Sequence, residues 1–183
     1  FCGEEVYTLQ CFKDMTDRDL VQRRSTDSDG STRWRDTPLV EAAERGGLLV
    51  LDGLHRLPPG ALAAVHGLLF DRDLWLPDGT HLVSEDRFRH IGAAASALNG
   101  SGAGRLRRVA GSFRVIALGA PSAGKASERW VTAELLPLFS WHSLPHLEEA
   151  TRLEVLASRC PGASGAALES LLALGAQMPA GSQ

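Results

Sequence analysis

An aspartate that follows a run of apolar residues is the position in this sequence best suited to chemistry. Residues 46–53 read Gly-Gly-Leu-Leu-Val-Leu-Asp-Gly, and the four consecutive apolar residues predict a short strand that is buried on both faces of a parallel sheet. Asp52 would then lie at the carboxyl end of that strand, where open α/β sheets bind their ligands. A carboxylate there can hold Mg²⁺ for a nucleotide, usually through water, because Mg²⁺ keeps much of its hydration shell. Taken alone, the octet fits equally well an aspartate that only ends a core strand.

Strands and helices alternate around this segment. Residues 6–12 and 113–118 are rich in strand formers and predict two more buried strands. A short helix is predicted to begin at Thr16 or Asp17 and to end at about Arg23, and a second helix, capped by Thr37, runs from Pro38 to Gly46. Further helices are predicted after residues 58–60 and over 128–136, 147–158 and 165–176. A short strand is predicted over 139–142. This alternation indicates an α/β fold whose parallel sheet is covered by helices on both faces.

Two hairpins and one low-complexity segment interrupt the alternation. Turn signals at 27–30 and at 77–80 separate short strand-like segments, so each predicts a hairpin. Residues 92–104 are almost entirely Gly, Ala and Ser, which predicts a flexible insertion that is helical in its Ala run at most. Arg105, Arg107 and Arg108 border this segment and form either a phosphate-binding patch or a solvated basic edge.

The composition excludes several classes of protein. The 183 residues carry a net charge of −3, which gives no electrostatic reason to expect a nucleic acid or an anionic membrane as partner. No segment approaches the roughly 20 apolar residues that a membrane-spanning helix needs. The three cysteines, Cys2, Cys11 and Cys160, are widely spaced. They predict neither a metal site nor a disulfide framework, which fits a reducing intracellular compartment.

Three segments in the same order carry a resemblance to a known family. The run DTPLVEAAERGG at 36–47, followed by the strand that ends at Asp52, resembles the helix and Walker B strand of the dynein-related AAA+ ATPases, the group that includes midasin. The hairpin at 74–83 resembles the insert of that family, and residues 112–121 resemble its sensor strand. The resemblance implies an α/β fold, the AAA+ core of P-loop NTPases, with a parallel sheet and hairpin inserts. We expect the chain to begin after the first strand and the Walker A loop of that core.

The same resemblance implies a domain organisation and a setting for the chain. Residues 1–145 correspond to a partial AAA+ α/β core, in which 92–104 are an insertion, and residues 146–183 to the start of the C-terminal helical lid. The implied cofactor of the full-length protein is Mg-ATP, with none expected for this fragment alone. The implied partners are neighbouring AAA+ modules or subunits in a ring, and the implied location is mitochondrial.

The residues that hydrolyse ATP in this family are missing from the matching positions. Gly53 stands where the family usually carries a glutamate, Ala120 where it carries the sensor asparagine, and Leu138 where it carries the finger arginine. Asp52 remains as the candidate nucleotide-binding residue and as a ligand for Mg²⁺ through water. The resemblance therefore implies a module with a degenerate Walker B motif that is hydrolytically inactive and structural or regulatory.

The complete phosphate-binding motif, Gly-x-x-x-x-Gly-Lys-Ser/Thr, does not occur in the sequence. Lys125 follows a glycine after a buried strand, but that strand matches the sensor strand, so a plain loop lysine is the favoured interpretation. An alternative from another class is a receiver-like domain in which Asp52 is the phosphoacceptor and Lys125 its accompanying lysine. His142 and His146 do not form a zinc-protease motif, because Pro145 interrupts the helix such a motif needs.

Overall fold

The structure of the chain, a computed structural model, describes residues 5–58, 60–97, 105–120, 130–133, 135–145 and 147–177. It divides into two compact units, Phe1–Ser140 and Trp141–Gln183. The first unit contains β1 (Val6–Gln10), α1 (Asp17–Val21), β2 (Gln22–Thr26), β3 (Thr32–Asp36), α2 (Pro38–Arg45), β4 (Leu48–Asp52), α3 (Ala63–Phe70), β5 (Leu74–Trp75), β6 (His81–Ser84), α4 (Glu85–Ala97), β7 (Leu106–Val109) and β8 (Arg114–Leu118).

The central sheet has the parallel order β1-β4-β8, as predicted from the three apolar segments. Its core face carries Tyr7, Leu49 and Val115 in one row and Leu9, Leu51 and Ala117 in the next. Both leucines of β4 on this face, at 49 and 51, are fully buried. The strand that ends at Asp52 therefore lies in the middle of the sheet.

The opposite face of this sheet is largely open among the described residues. Val6, Ile116 and Leu118 alternate with the core residues and remain 58%, 42% and 45% exposed. The prediction of helices on both faces is therefore wrong for the described part of the chain. An apolar run indicates that a strand suits a buried environment, but it does not identify the segment that packs on each face.

The helix termini follow local sequence signals, with one exception. Thr16 and Asp19 form a capping box at the start of α1, which ends at Val21, earlier than predicted, because β2 begins at the next residue. Helix α2 ends as predicted at Gly46, whose φ of 84° is left-handed. Thr37 occupies the cap position of α2, but its hydroxyl donates to the carbonyl oxygens of Leu20 and Val21 at 2.7 and 3.1 Å. Its side chain therefore joins α1 to α2 instead of capping.

Both predicted hairpins form. Strands β2 and β3 pair antiparallel, as do β5 and β6. Strand β7 was not predicted; it pairs parallel to β6 and makes a three-stranded sheet of order β5-β6-β7. Helix α4 continues through 92–97, slightly beyond the Ala run that we expected to be helical at most. Residues 98–104 lie outside the described residues, so the flexibility of the insertion stays a prediction.

The predictions for residues 128–142 are wrong where the structure describes them. Residues 130–133 are not helical, the only helical turn in the described part of this segment is the 3-10 turn Leu136–Leu138, and residues 139–142 form no strand. Leu138 and Phe139 pack instead against the hydrophobic core. Pro137 lacks a backbone N–H, which explains why a regular helix does not continue here. Residues 121–129, including Lys125, lie outside the described residues.

The second unit contains the two predicted helices, α5 (Glu149–Arg159) and α6 (Gly165–Gln177), which pack against each other. Within α6, Leu168 and Leu172 are buried. Across the described residues of both units, we find no helix with the length and apolar character needed to cross a membrane.

Candidate functional site

Asp52 is the last residue of β4 and is exposed at the carboxyl edge of the central sheet. Its carbonyl oxygen accepts a hydrogen bond from the N–H of Cys11 at 2.7 Å, and the N–H of Gly53 donates to the carbonyl oxygen of Leu118 at 3.1 Å. These bonds fasten the end of β4 to the strands on both sides. The Asp52 carboxylate is thus presented to solvent from a rigid main chain.

Gly53 has a backbone conformation that disfavours any other residue. Its φ of 83° and ψ of 35° are left-handed, and it begins the 3-10 turn Leu54–Arg56. A Cβ atom at this position would lie 3.3 Å from Cδ of Arg56 and 3.3 Å from the carbonyl oxygen of Cys11. A side chain here would therefore meet both backbone strain and close contacts.

Ala120 lies just beyond β8. Two aromatic side chains, which no local sequence pattern indicates as site residues, bind its main chain. Its N–H donates to Nδ1 of His55 at 3.0 Å, and its carbonyl oxygen accepts from Nε1 of Trp130 at 2.9 Å. The two rings are tilted, with centroids 6.3 Å apart. At Gly119 a Cβ atom would come within 2.7 Å of the Trp130 ring, so the indole lies directly on the glycine backbone.

Burial alters the proton affinity of two groups beside Asp52. Burial, with a smaller contribution from Asp52, raises the pKa of the Cys11 thiol to about 11. The pKa of His55 is lowered, mainly by burial and further by Arg56, while Asp52 acts in the opposite direction. His55 is therefore neutral at physiological pH, which suits its role as an acceptor from Ala120.

Leu138 ends the 3-10 turn Leu136–Leu138, and its N–H donates to the carbonyl oxygen of Leu135 at 3.1 Å. Its side chain is partly buried and packs against the hydrophobic core. The position therefore serves packing, which suits an apolar residue and does not suit a guanidinium that must reach a phosphate.

The chain matches the model of the AAA domain, dynein-related subfamily, over residues 1–139. The chain belongs to the dynein-related AAA family. It is 36% identical over 174 residues to von Willebrand factor A domain-containing protein 8 of Mus musculus, an alignment that covers 94% of this chain and 9% of that protein. It is 38% identical over 66 residues to protein CbbQ of Hydrogenophilus thermoluteolus, covering 36% of this chain and 24% of that protein. The chain thus spans only a small part of each relative.

A solved structure supports the same fold. The chain superposes on the "putative ATPase" of Cytophaga hutchinsonii with a TM-score of 0.53 and 13% sequence identity, covering 87% of this chain and 39% of that one. The AAA+ core is therefore confirmed as the fold. The receiver-like alternative, in which Asp52 accepts a phosphoryl group, finds no support in these comparisons.

The family binds Mg²⁺ and a nucleotide, and Asp52 fits one part of that site. A single exposed carboxylate at a strand end suits Mg²⁺ held through water. Within the described ranges, no group of three or more His, Cys, Asp or Glu side chains could hold a metal ion by itself. A magnesium ion at this strand end would therefore complete its coordination with water and nucleotide phosphates.

The sequence around Lys125 contains part of a Walker A motif. Counted from Gly119, the sequence has Gly124 and Lys125 at the spacing of a Walker A loop, with Ala126 where the motif requires Ser or Thr. The hydroxyl that would contact Mg²⁺ is therefore missing from position 126. The segment follows strand β8, which resembles the sensor strand of the family.

The arginines at 105–108 are engaged in ion pairs. Arg107 contacts Asp36 at 2.5 Å and also pairs with Glu44, and Arg108 lies 3.3 Å from Glu85. The hydrogen bonds to Glu44 and Asp36 raise the pKa of Arg107 above its usual range, although burial opposes them. Arg107 is thus a structural residue rather than part of a free phosphate-binding patch.

Acidification is expected to weaken the contact between His55 and Ala120. Because the folded pKa of His55 is lowered, the unfolded chain takes up its proton first, and stability that is complete above about pH 6.5 decreases as the pH falls below it. We expect the urea midpoint to drop more between about pH 7.5 and about pH 5.5 in the native sequence than in His55→Gln, which does not titrate. Equal drops in the two proteins would contradict this expectation.

Proposed function

We propose that this AAA module is hydrolytically inactive and serves a structural or regulatory role in a larger ring protein. The observation that carries the proposal is the left-handed conformation of Gly53, the residue that the family resemblance aligns with the catalytic glutamate. A glycine has no group that can polarise water, and loss of a positioned acid–base group costs about 10²–10⁴ in rate. Loss of a finger arginine, the position now held by Leu138, costs about 10³–10⁵. Such losses do not simply multiply, but each is severe.

Nucleotide binding, unlike hydrolysis, is compatible with the residues that remain. In the full-length protein, Asp52 would hold the Mg²⁺ of Mg-ATP through water, and the metal would neutralise phosphate charge. The hydrogen bonds of the Asp52 carbonyl and of the Gly53 N–H hold the main chain that carries this carboxylate. The module would therefore report the presence of nucleotide without consuming it.

Neighbouring AAA modules or subunits are the proposed partners, because AAA proteins typically work as oligomeric assemblies. The two hairpins, β2–β3 and β5–β6, are inserts on a rigid α/β scaffold, and such inserts often form contact surfaces. A mitochondrial location is also part of the proposal, and it is supported by the family resemblance alone.

The experiment compares Asp52→Asn with the native sequence in the full-length protein. If the module binds nucleotide without hydrolysing it, the variant should lose about tenfold in affinity for a fluorescent ATP analogue at this module. At saturating ATP, phosphate release should stay within about twofold of the native level. Glu85→Gln, at a half-exposed carboxylate that begins α4, is the control for general effects of removing a carboxylate. A hundredfold fall in phosphate release on Asp52→Asn at saturating ATP would refute the inactive module.

A further inference from the structure

A groove of about 510 Å³ lies between strand β1 and the β2–β3 hairpin. Thr8, Gln10 and Phe12 line it on the side of the central sheet, and Arg23, Arg24 and Arg35 line it on the side of the hairpin. This groove is at the β1 side of the sheet, and the proposed nucleotide role of Asp52 does not use it.

Strand β1 offers unpaired main-chain groups to this groove. It forms one edge of the described β1-β4-β8 sheet. The carbonyl oxygen of Glu5 and the N–H of Cys11 bond to β4, at 3.0 and 2.7 Å. Because the residues that bond to a parallel neighbour alternate along a strand, the N–H and C=O groups of Thr8 and Gln10 face away from β4. Such an edge can pair with another extended chain.

The hairpin side of the groove carries an excess of positive charge. Arg23 and Arg35 lie directly opposite each other in the antiparallel register, an arrangement of like charges that destabilises a strand pair. Asp27 lies 3.1 Å from Arg35 but also 3.0 Å from Arg33, so one carboxylate serves two guanidinium groups. Asp36, the acidic residue in the lining, is already paired with Arg107. An anionic occupant would relieve the repulsion between Arg23 and Arg35.

We propose that the groove between β1 and the β2–β3 hairpin binds an extended acidic segment of a partner protein. The segment adds a strand to the open edge of β1, and its carboxylates contact Arg23 and Arg35. A peptide suits the site better than a nucleic acid, because the edge presents alternating N–H and C=O groups that match a peptide main chain. Guanidinium groups bind carboxylates with charge-assisted, directional hydrogen bonds.

The test uses the full 183-residue chain and a fluorescein-labelled peptide of alternating Glu and Val, followed by fluorescence anisotropy. We expect saturable binding that weakens with salt, and an affinity about tenfold lower for the double variant Arg23→Ala/Arg35→Ala. Arg89→Ala, at an exposed arginine of α4 outside the groove lining, is the control for loss of a positive charge and should bind within about twofold of the native chain. A peptide of alternating Lys and Val should not bind.

A second pair of measurements tests the strand pairing separately from the charge. Thr8→Pro removes an outward N–H while leaving the bonds to β4 in place, and should lower the affinity about tenfold. The same Glu-Val peptide with methylated amides on alternate residues should lose binding to the native chain. Because the protein itself is unchanged in this measurement, a loss of binding cannot come from a failure to fold. Full binding of the methylated peptide would overturn strand addition. A single-stranded oligonucleotide that binds more strongly than the Glu-Val peptide would overturn the assignment of a peptide as the ligand.

Discussion

Placing a glutamate at position 53, where the family resemblance expects one, should destabilise the protein without giving it ATP hydrolysis. The left-handed backbone at this residue costs a side chain of the L configuration about 1–3 kcal/mol. A Cβ atom would also lie 3.3 Å from both Arg56 and the main chain of Cys11. For Gly53→Glu we therefore expect a free energy of unfolding lower by about 2 kcal/mol, measured by urea denaturation.

Phosphate release by Gly53→Glu should remain within about twofold of the native level, although a positioned glutamate is worth about 10²–10⁴ in an intact site. The reason is that Ala120 and Leu138, which the family resemblance places at the sensor asparagine and the finger arginine, are unchanged in this variant. Gly79→Ala is the matched control for backbone strain, because Gly79 also has a φ of 83° but no atom within 4 Å of its Cβ position. A hundredfold gain in turnover on Gly53→Glu, with unchanged stability, would show that the glycine alone keeps the module inactive.

The elements that the sequence predicted well are those whose signals are local. Three signals each determine structure within a few residues: the apolar run before Asp52, the glycine at 46 that ends α2 in a left-handed conformation, and the turn tetrapeptides of both hairpins. For that reason the central strand, the end of α2 and the presence of both hairpins agree with the predictions. The position of Asp52 at the strand end follows from the same local signal.

The features that the sequence did not predict depend on distant partners. His55 accepts from Ala120, 65 positions away, and Trp130 holds the same residue from the other side. Strand β7 is short and polar, and its pairing with β6 is stabilised by contacts outside the strand. Thr37 also has the residue type and position of a helix cap, yet its hydroxyl donates to the carbonyl oxygen of Leu20 in α1. Only tertiary packing decides between such competing hydrogen-bond partners.

Arg107 offers a second large and measurable effect. Its guanidinium, which is 29% exposed, pairs with Glu44 of α2 and with Asp36 at the end of β3. The Asp36 carboxylate also accepts a hydrogen bond from Nε2 of Gln22 at 2.8 Å, and Gln22 is almost completely buried. One arginine of β7 thus connects two other elements of the first unit, over separations of 63 and 71 residues.

Arg107→Ala is expected to lower the free energy of unfolding by about 2–3 kcal/mol, because it leaves two neighbouring carboxylates without their shared cation. Breaking a fully buried ion pair costs about 3–5 kcal/mol, and the partial exposure of Arg107 reduces that figure. Arg108→Ala is the matched control: its ion pair with Glu85 is exposed at both ends, so the expected loss is below about 1 kcal/mol. Urea denaturation of both variants measures the difference. Equal losses in the two variants would mean that the Arg107 cluster adds nothing beyond a surface ion pair.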